Sequence, residues 1–157
     1  MIKLFASLAF FFLFQICVAQ DMVFRPIPHK EAPAEAVNYL KTQKLKAKKA
    51  KWSLSPSGIY LADFQKKKQS KVAYYLNKNG MLLYKRTPIE MKDLPVVLNE
   101  MIADRMKGGS GALLHIYKSP YVAIYSISIP DNGGSYVTKY FNSDGSPAVL
   151  NFKGETY

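Results

Sequence analysis

The side chains that could do chemistry in this 157-residue chain are few and scattered. His29 and His115 are its only histidines. Neither has an Asp or Glu at metal-ligand spacing, and no His-x-x-x-His pair falls on a helix. His115 lies in a run that reads as a strand, where a packing role is expected. The segment Gly108-Gly-Ser-Gly111 follows a predicted helix and lacks the glycine-lysine-serine ending of a phosphate loop, so it reads as a connector. No spacing pairs two carboxylates as acid and base. These residues predict a protein with no catalytic site, no metal and no cofactor.

What the chain has in quantity is positive charge. Lys and Arg number 22 against 11 Asp and Glu, a formal charge of +11. Residues 30–90 hold 14 basic and 4 acidic side chains, whereas residues 91–157 hold 6 of each. The excess therefore sits in the first half, in Lys44, Lys46, Lys48, Lys49 and Lys51 and again in Lys66, Lys67 and Lys68. Such a field favours anionic lipid, acidic polysaccharide or an acidic protein. It also keeps a protein soluble, and the lysines near residue 44 complement the carboxyl end of a helix.

The amino terminus explains why nucleic acid is set aside as a partner. Lys3 precedes an uncharged apolar run at residues 4–14 (LFASLAFFFLF), and Cys17-Val18-Ala19 supplies the small residues that a signal peptidase needs. The run is shorter than the roughly 20 residues that span a bilayer, and no basic stop-transfer cluster follows it. Cleavage after Ala19 is expected, and the protein is expected to be exported, either periplasmic or secreted. The approach to Cys17, Phe14-Gln15-Ile16, does not match a lipoprotein signal. The mature chain from Gln20 would have 138 residues and no cysteine, so thiol chemistry and disulfides are excluded. That length suits one domain, residues 31–157, after an extended arm at 20–30.

Within that domain the chain repeats itself. Val72, Tyr75, Asn77 and Gly80 recur 65 residues on as Val137, Tyr140, Asn142 and Gly145, and Tyr60-Leu-Ala-Asp-Phe64 is echoed by Tyr121-Val-Ala-Ile-Tyr125. The drift in offset fits a loop insertion near Pro130, which costs little entropy. Asn79-Gly80 and Asp144-Gly145, flanked by apolar residues, signal hairpins, since glycine and asparagine tolerate positive backbone angles. Strand pairs are predicted at 48–54 with 58–65 and at 112–118 with 121–129. Helices are predicted at 33–44 and 94–107, the second with an apolar stripe of Leu94, Val97, Leu98, Met101 and Ile102. The fold class expected is α+β: two tandem helix-plus-four-strand repeats, 31–90 and 91–157, forming an antiparallel sheet with both helices on one face.

The proline-started helix, Trp52, the glycine ahead of Tyr60-Leu-Ala-Asp-Phe64, the aromatic strand into Asn-Lys-Asn-Gly80 and Asp-Leu-Pro-Val-Val97 resemble the exported bacterial PepSY-like, beta-lactamase-inhibitor-like family. The resemblance covers residues 31–153. It implies an antiparallel sheet with both helices packed on one face, and a role in binding or inhibition with no chemistry of its own. The chain departs from the family where Asn77 and Asn142 replace a frequent Asp, and in its run of lysines.

Strand alternation then suggests a surface. Trp52, Tyr60, Ala62, Phe64, Val72, Tyr74 and Leu76 fall on the core side, with Lys139 a poor fit there. Tyr75 and Tyr140 face away, near Ile59, Leu61, Val122 and Ile124. If helices cover one face only, these six form an exposed patch with Lys49 and Lys51 as orienting charges, suited to an unidentified protein or peptide in the cell envelope. The patch is otherwise covered, by the arm FRPIPHKEAP or by a second copy in a homodimer. The other function class is a basic envelope-associated module that holds anionic lipid or polysaccharide through Lys44, Lys46, Lys48, Lys49, Lys51, Lys66, Lys67 and Lys68.

Overall fold

Four tight turns, each built from the same local chemistry, set the frame. In each, a residue with a side-chain oxygen opens the turn and a glycine three positions later takes a left-handed backbone: Ser55 with Gly58, Asn77 with Gly80, Asp131 with Gly134 and Asn142 with Gly145. In the turn at Asn77, the Gly80 N–H donates to the Asn77 carbonyl at 3.0 Å, and the Asn77 side-chain oxygen accepts from the Asn79 and Met81 amides. This is a type I turn closed by a glycine bulge. Among the described residues of these turns only the glycines take positive φ, so the turn does not draw on the backbone tolerance of Asn79.

The computed structural model describes residues 23–66, 69–106, 111–131 and 133–152. The expected leader at 1–19 lies outside them, as do Lys67, Lys68 and most of the connector at 108–111. Eight strands, β1 (Arg25–Ile27), β2 (Lys51–Leu54), β3 (Tyr60–Lys66), β4 (Gln69–Leu76), β5 (Leu82–Pro88), β6 (Leu113–Lys118), β7 (Ala123–Pro130) and β8 (Tyr136–Phe141), pair in sequence order. Every pairing is antiparallel. Two helices interrupt the meander: α1 (Ala34–Thr42) between β1 and β2, and α2 (Val96–Met106) between β5 and β6.

This arrangement corrects the expected fold class. Two tandem helix-plus-four-strand repeats with both helices on one face give way to a single eight-stranded meander that is mostly sheet. Part of the arm at 20–30 joins the sheet as β1, pairing Ile27 with Trp52. Among the described residues three strands follow α2 in place of the four expected, and the physical reason is Pro147. It stands two residues past Gly145, lacks an amide hydrogen and cannot build a ladder, so the chain makes one bridge with Phe141 and leaves β8.

Each helix buries its apolar stripe over its own cluster. Ala36 and Leu40 of α1 pack with Trp52, Ala62, Tyr74 and Leu76, and the Trp52 indole N–H donates to the Ala47 carbonyl at 3.1 Å. Leu98 and Ile102 of α2 pack with Leu94, Leu114 and Ile127, whereas Val97 and Met101 of the expected stripe stay half exposed. Lys139, expected as a misfit inside, is exposed at the free edge on β8. Gly80 is held where it is by closeness as well as by its angle. A methyl group there would lie 2.6 Å from the backbone carbonyl of Glu35, so only glycine lets the β4–β5 turn touch the start of α1.

Candidate functional site

The register gathers a second set of side chains on the side of β3, β4, β5, β6 and β7 away from Trp52 and Tyr74. Leu61 lies opposite Tyr75 and Tyr75 opposite Tyr84, while Arg86 lies opposite Tyr117 and Tyr117 opposite Ile124. Because side chains alternate along a strand, cross-strand partners share a face, and these form one cluster with Ile59, Ala73 and Leu83. Val122 and Tyr140 pack against its margin. The rings of Tyr75, Tyr84, Tyr117 and Tyr140 follow one another at centroid distances of 5.8 to 6.3 Å through Tyr117.

Of the candidate residues, the structure thus brings together Ile59, Leu61, Tyr75, Val122, Ile124 and Tyr140. It does not leave them bare. Tyr75 is 5% exposed. Phe24, from the amino-terminal arm, meets its ring edge-on at 5.9 Å, and Phe152 lies 5.2 Å from Tyr75 and 5.3 Å from Tyr84. Phe152 belongs to residues 147–152, which leave β8 at Pro147 and lay Ala148, Leu150 and Phe152 on the cluster. Hydrogen bonds pin this strap, among them the Ala148 N–H to the Tyr140 carbonyl at 2.9 Å and the Asn151 N–H to the Tyr84 hydroxyl at 3.3 Å.

Beside the strap a groove of about 560 Å³ opens between residues 81–84, the turn at 119–122, Ile124, Asn142, and Ala148, Val149 and Asn151 of the strap. Among the described residues no charged side chain lines it, in a chain whose first half is dense with lysine. Tyr121 on its rim is 77% exposed, and Met81 and Val149 are half exposed.

Next to the tyrosines sits a polar cluster that strand reading alone did not find. The Arg86 guanidinium lies 3.8 Å from the Asp63 carboxylate and is hydrogen bonded to Tyr117. Burial opposes its charge, but Tyr75, Tyr117 and Asp63 outweigh burial and hold its pKa above the ordinary value. Burial pushes the Tyr75 hydroxyl up strongly, so it stays protonated. Burial, helped by the positive charge of Arg86 and opposed by Asp63, pulls His115 down to about 4. His115 is therefore a neutral polar residue at neutral pH, in keeping with its expected packing role. These groups meet through the β4–β5–β6 register, which no local motif announces. Pro147 and the alternation Ala148, Leu150, Phe152 are the signals that could have revealed the strap.

The lysines lie elsewhere. Lys51 is opposite Asp63 at the start of β2, exposed, and Lys49 is exposed just before it. Lys44, Lys46 and Lys48 are exposed along the link from α1 to β2, while Lys66 ends β3. Among the described residues no three His, Cys, Asp or Glu side chains are grouped to hold a metal, and no helix is long and apolar enough to cross a membrane.

The fold has solved relatives. A Bacteroides eggerthii protein assigned to the periplasm is similar at 18% identity, with a TM-score of 0.59 over 74% of this chain and 85% of that one. A BLIP-like (beta-lactamase-inhibitor-like) protein from Bacteroides fragilis is similar at 18% identity, with a TM-score of 0.50 over 80% of this chain and 92% of that one. No family model matches the chain, so the PepSY-like part of the resemblance has no counterpart there, and no curated protein matches it.

Proposed function

We propose that the protein is a non-catalytic binding module of the cell envelope that engages a protein or peptide partner through the tyrosine-rich sheet face. The protein is exported, periplasmic or secreted. The leader at residues 1–19 supports this, as does the likeness to one protein assigned to the periplasm and another described as BLIP-like. A BLIP-like neighbour also favours binding over catalysis.

One observation carries the choice of face. Ile59, Leu61, Tyr75, Val122, Ile124 and Tyr140 converge on a single aromatic cluster that no helix covers, next to an uncharged groove. Tyrosine gives a partner large contact area at low entropic cost. Lys49 and Lys51, exposed at the margin, act as orienting charges.

The test is capture of partners from envelope and secreted fractions with the mature protein as bait, at low and at high salt. A protein retained at high salt, and lost when Tyr140→Ala and Val122→Ser are combined in a folded variant, supports this face. Unchanged capture by that variant sinks it. Retention only of polyanions, lost as salt screens the lysines, would instead favour the anionic lipid or polysaccharide reading.

A further inference from the structure

The strap at residues 147–152 is built like a ligand. Its apolar residues alternate, with Ala148, Leu150 and Phe152 turned onto the tyrosine cluster and Val149 turned out at 55% exposure. That is the period of an extended peptide lying on a surface. Its last side chain, Phe152, sits between Tyr75 and Tyr84, and its backbone donates to one main-chain carbonyl and one tyrosine hydroxyl. No helix or ladder holds it beyond the bridge at Pro147. The groove lies beside the strap and leaves the apolar side chains of Met81 and Tyr121 exposed on its wall.

We propose that residues 147–152 are an internal pseudo-ligand: the strap occupies the binding face of the resting protein, and the partner is an extended segment with apolar residues at alternate positions, an aromatic ring among them. This rests on the proposed function, since it names the partner class for the same face. The chemistry follows from what already sits there. The face presents ring edges and faces to one aromatic side chain and a carbonyl and a hydroxyl to backbone N–H groups, and the described lining of the groove beside it carries no charge. A partner strand that also fills the groove buries more apolar surface than the strap does, which gives it the means to displace the strap. Because the strap is tethered, its effective concentration is high, so the resting chain discriminates against weak extended peptides.

The experiment measures binding of a fluorescent peptide copying residues 146–152 to the mature full chain, either wild type or Phe152→Ala, with unfolding followed in parallel. It needs no natural partner, so it can succeed even if capture fails. The proposal expects Phe152→Ala to bind the peptide at least tenfold tighter than wild type, and a peptide carrying alanine in place of its phenylalanine to lose that binding. Equal affinity of the two chains, or no saturable binding to Phe152→Ala, overturns it. Should Phe152→Ala lose its cooperative unfolding transition, Val149→Gly loosens the strap without touching the rings. The same tenfold gain is then required.

Discussion

Leu40 and Leu98 are both completely buried, each on a helix of nine or eleven residues that packs its apolar side chains into a core cluster. Tyr75 and Tyr84 are nearly as well buried, at 5% and 2%, yet what covers them is Phe24 and a strap outside any strand or helix, joined to β8 by one bridge and held by hydrogen bonds that include Ala148 to Tyr140 and Asn151 to Tyr84. Similar burial has been reached by unequal means. A helix opens only by giving up several turns at once, whereas a short strap opens by losing a few contacts. Burial therefore does not separate permanent core from a surface that is closed but available. The strength of the covering segment does.

The largest effects should fall under the helices. Leu40→Ala and Leu98→Ala are expected to cost about 2.5 to 5 kcal/mol each in chemical denaturation, since both leave a cavity in a closed cluster. Phe152→Ala, half-buried on the strap, should cost about 1 to 2 kcal/mol, with most of the sheet undisturbed. Equal losses at the three positions would erase the contrast.

The turn glycines sharpen the same contrast. Gly80→Ala forces a methyl group against the Glu35 backbone and a positive φ of 75° on alanine, so a loss of at least about 2 kcal/mol is expected. Gly145→Ala meets the side chains of Val97 and Met101, which are half exposed and can turn aside, so about 1 to 2 kcal/mol should be lost.

Acid should act on the tyrosine face first. His115 titrates near 4 in the folded chain and at about 6.5 unfolded. The unfolded state thus binds more protons between these values, and stability is fully present above about pH 6.5 and lost as pH falls towards 4. With a discount for the part of the ring that water reaches, about 1 to 2 kcal/mol is at stake. His115→Gln should flatten that window in denaturation series run from pH 7 to 4.

The smallest expected effect is a gain. Lys44 ends α1 in the left-handed conformation (φ 59°), where glycine carries no penalty. Lys44→Gly should stabilise by roughly 0.5 to 1 kcal/mol and remove one charge from the basic link.

What the sequence disclosed was local. The hairpin turns at Asn79-Gly80 and Asp144-Gly145, three members of the expected stripe (Leu94, Leu98 and Ile102, but not the half-exposed Val97 and Met101), and the side of the sheet taken by Tyr75 and Tyr140 all follow from spacing of a few residues. The failures came from contacts made across the chain. The covering of Tyr75 depends on Phe24 and Phe152, which lie 128 residues apart. The Asp63, Arg86 and His115 cluster depends on three strand registers. The three strands after α2 depend on a single proline at 147, which breaks the match with Leu82 in the earlier unit.

Amide hydrogen exchange on the native mature chain tests the central claim most directly. The Ala148 and Asn151 amides should exchange through local opening, at least a hundredfold faster than those of Leu40 and Leu98 after correction for intrinsic rates, with little dependence on denaturant. Exchange of all four at a common, denaturant-sensitive rate would mean that strap and helices open only with the whole fold, and that the tyrosine face is core.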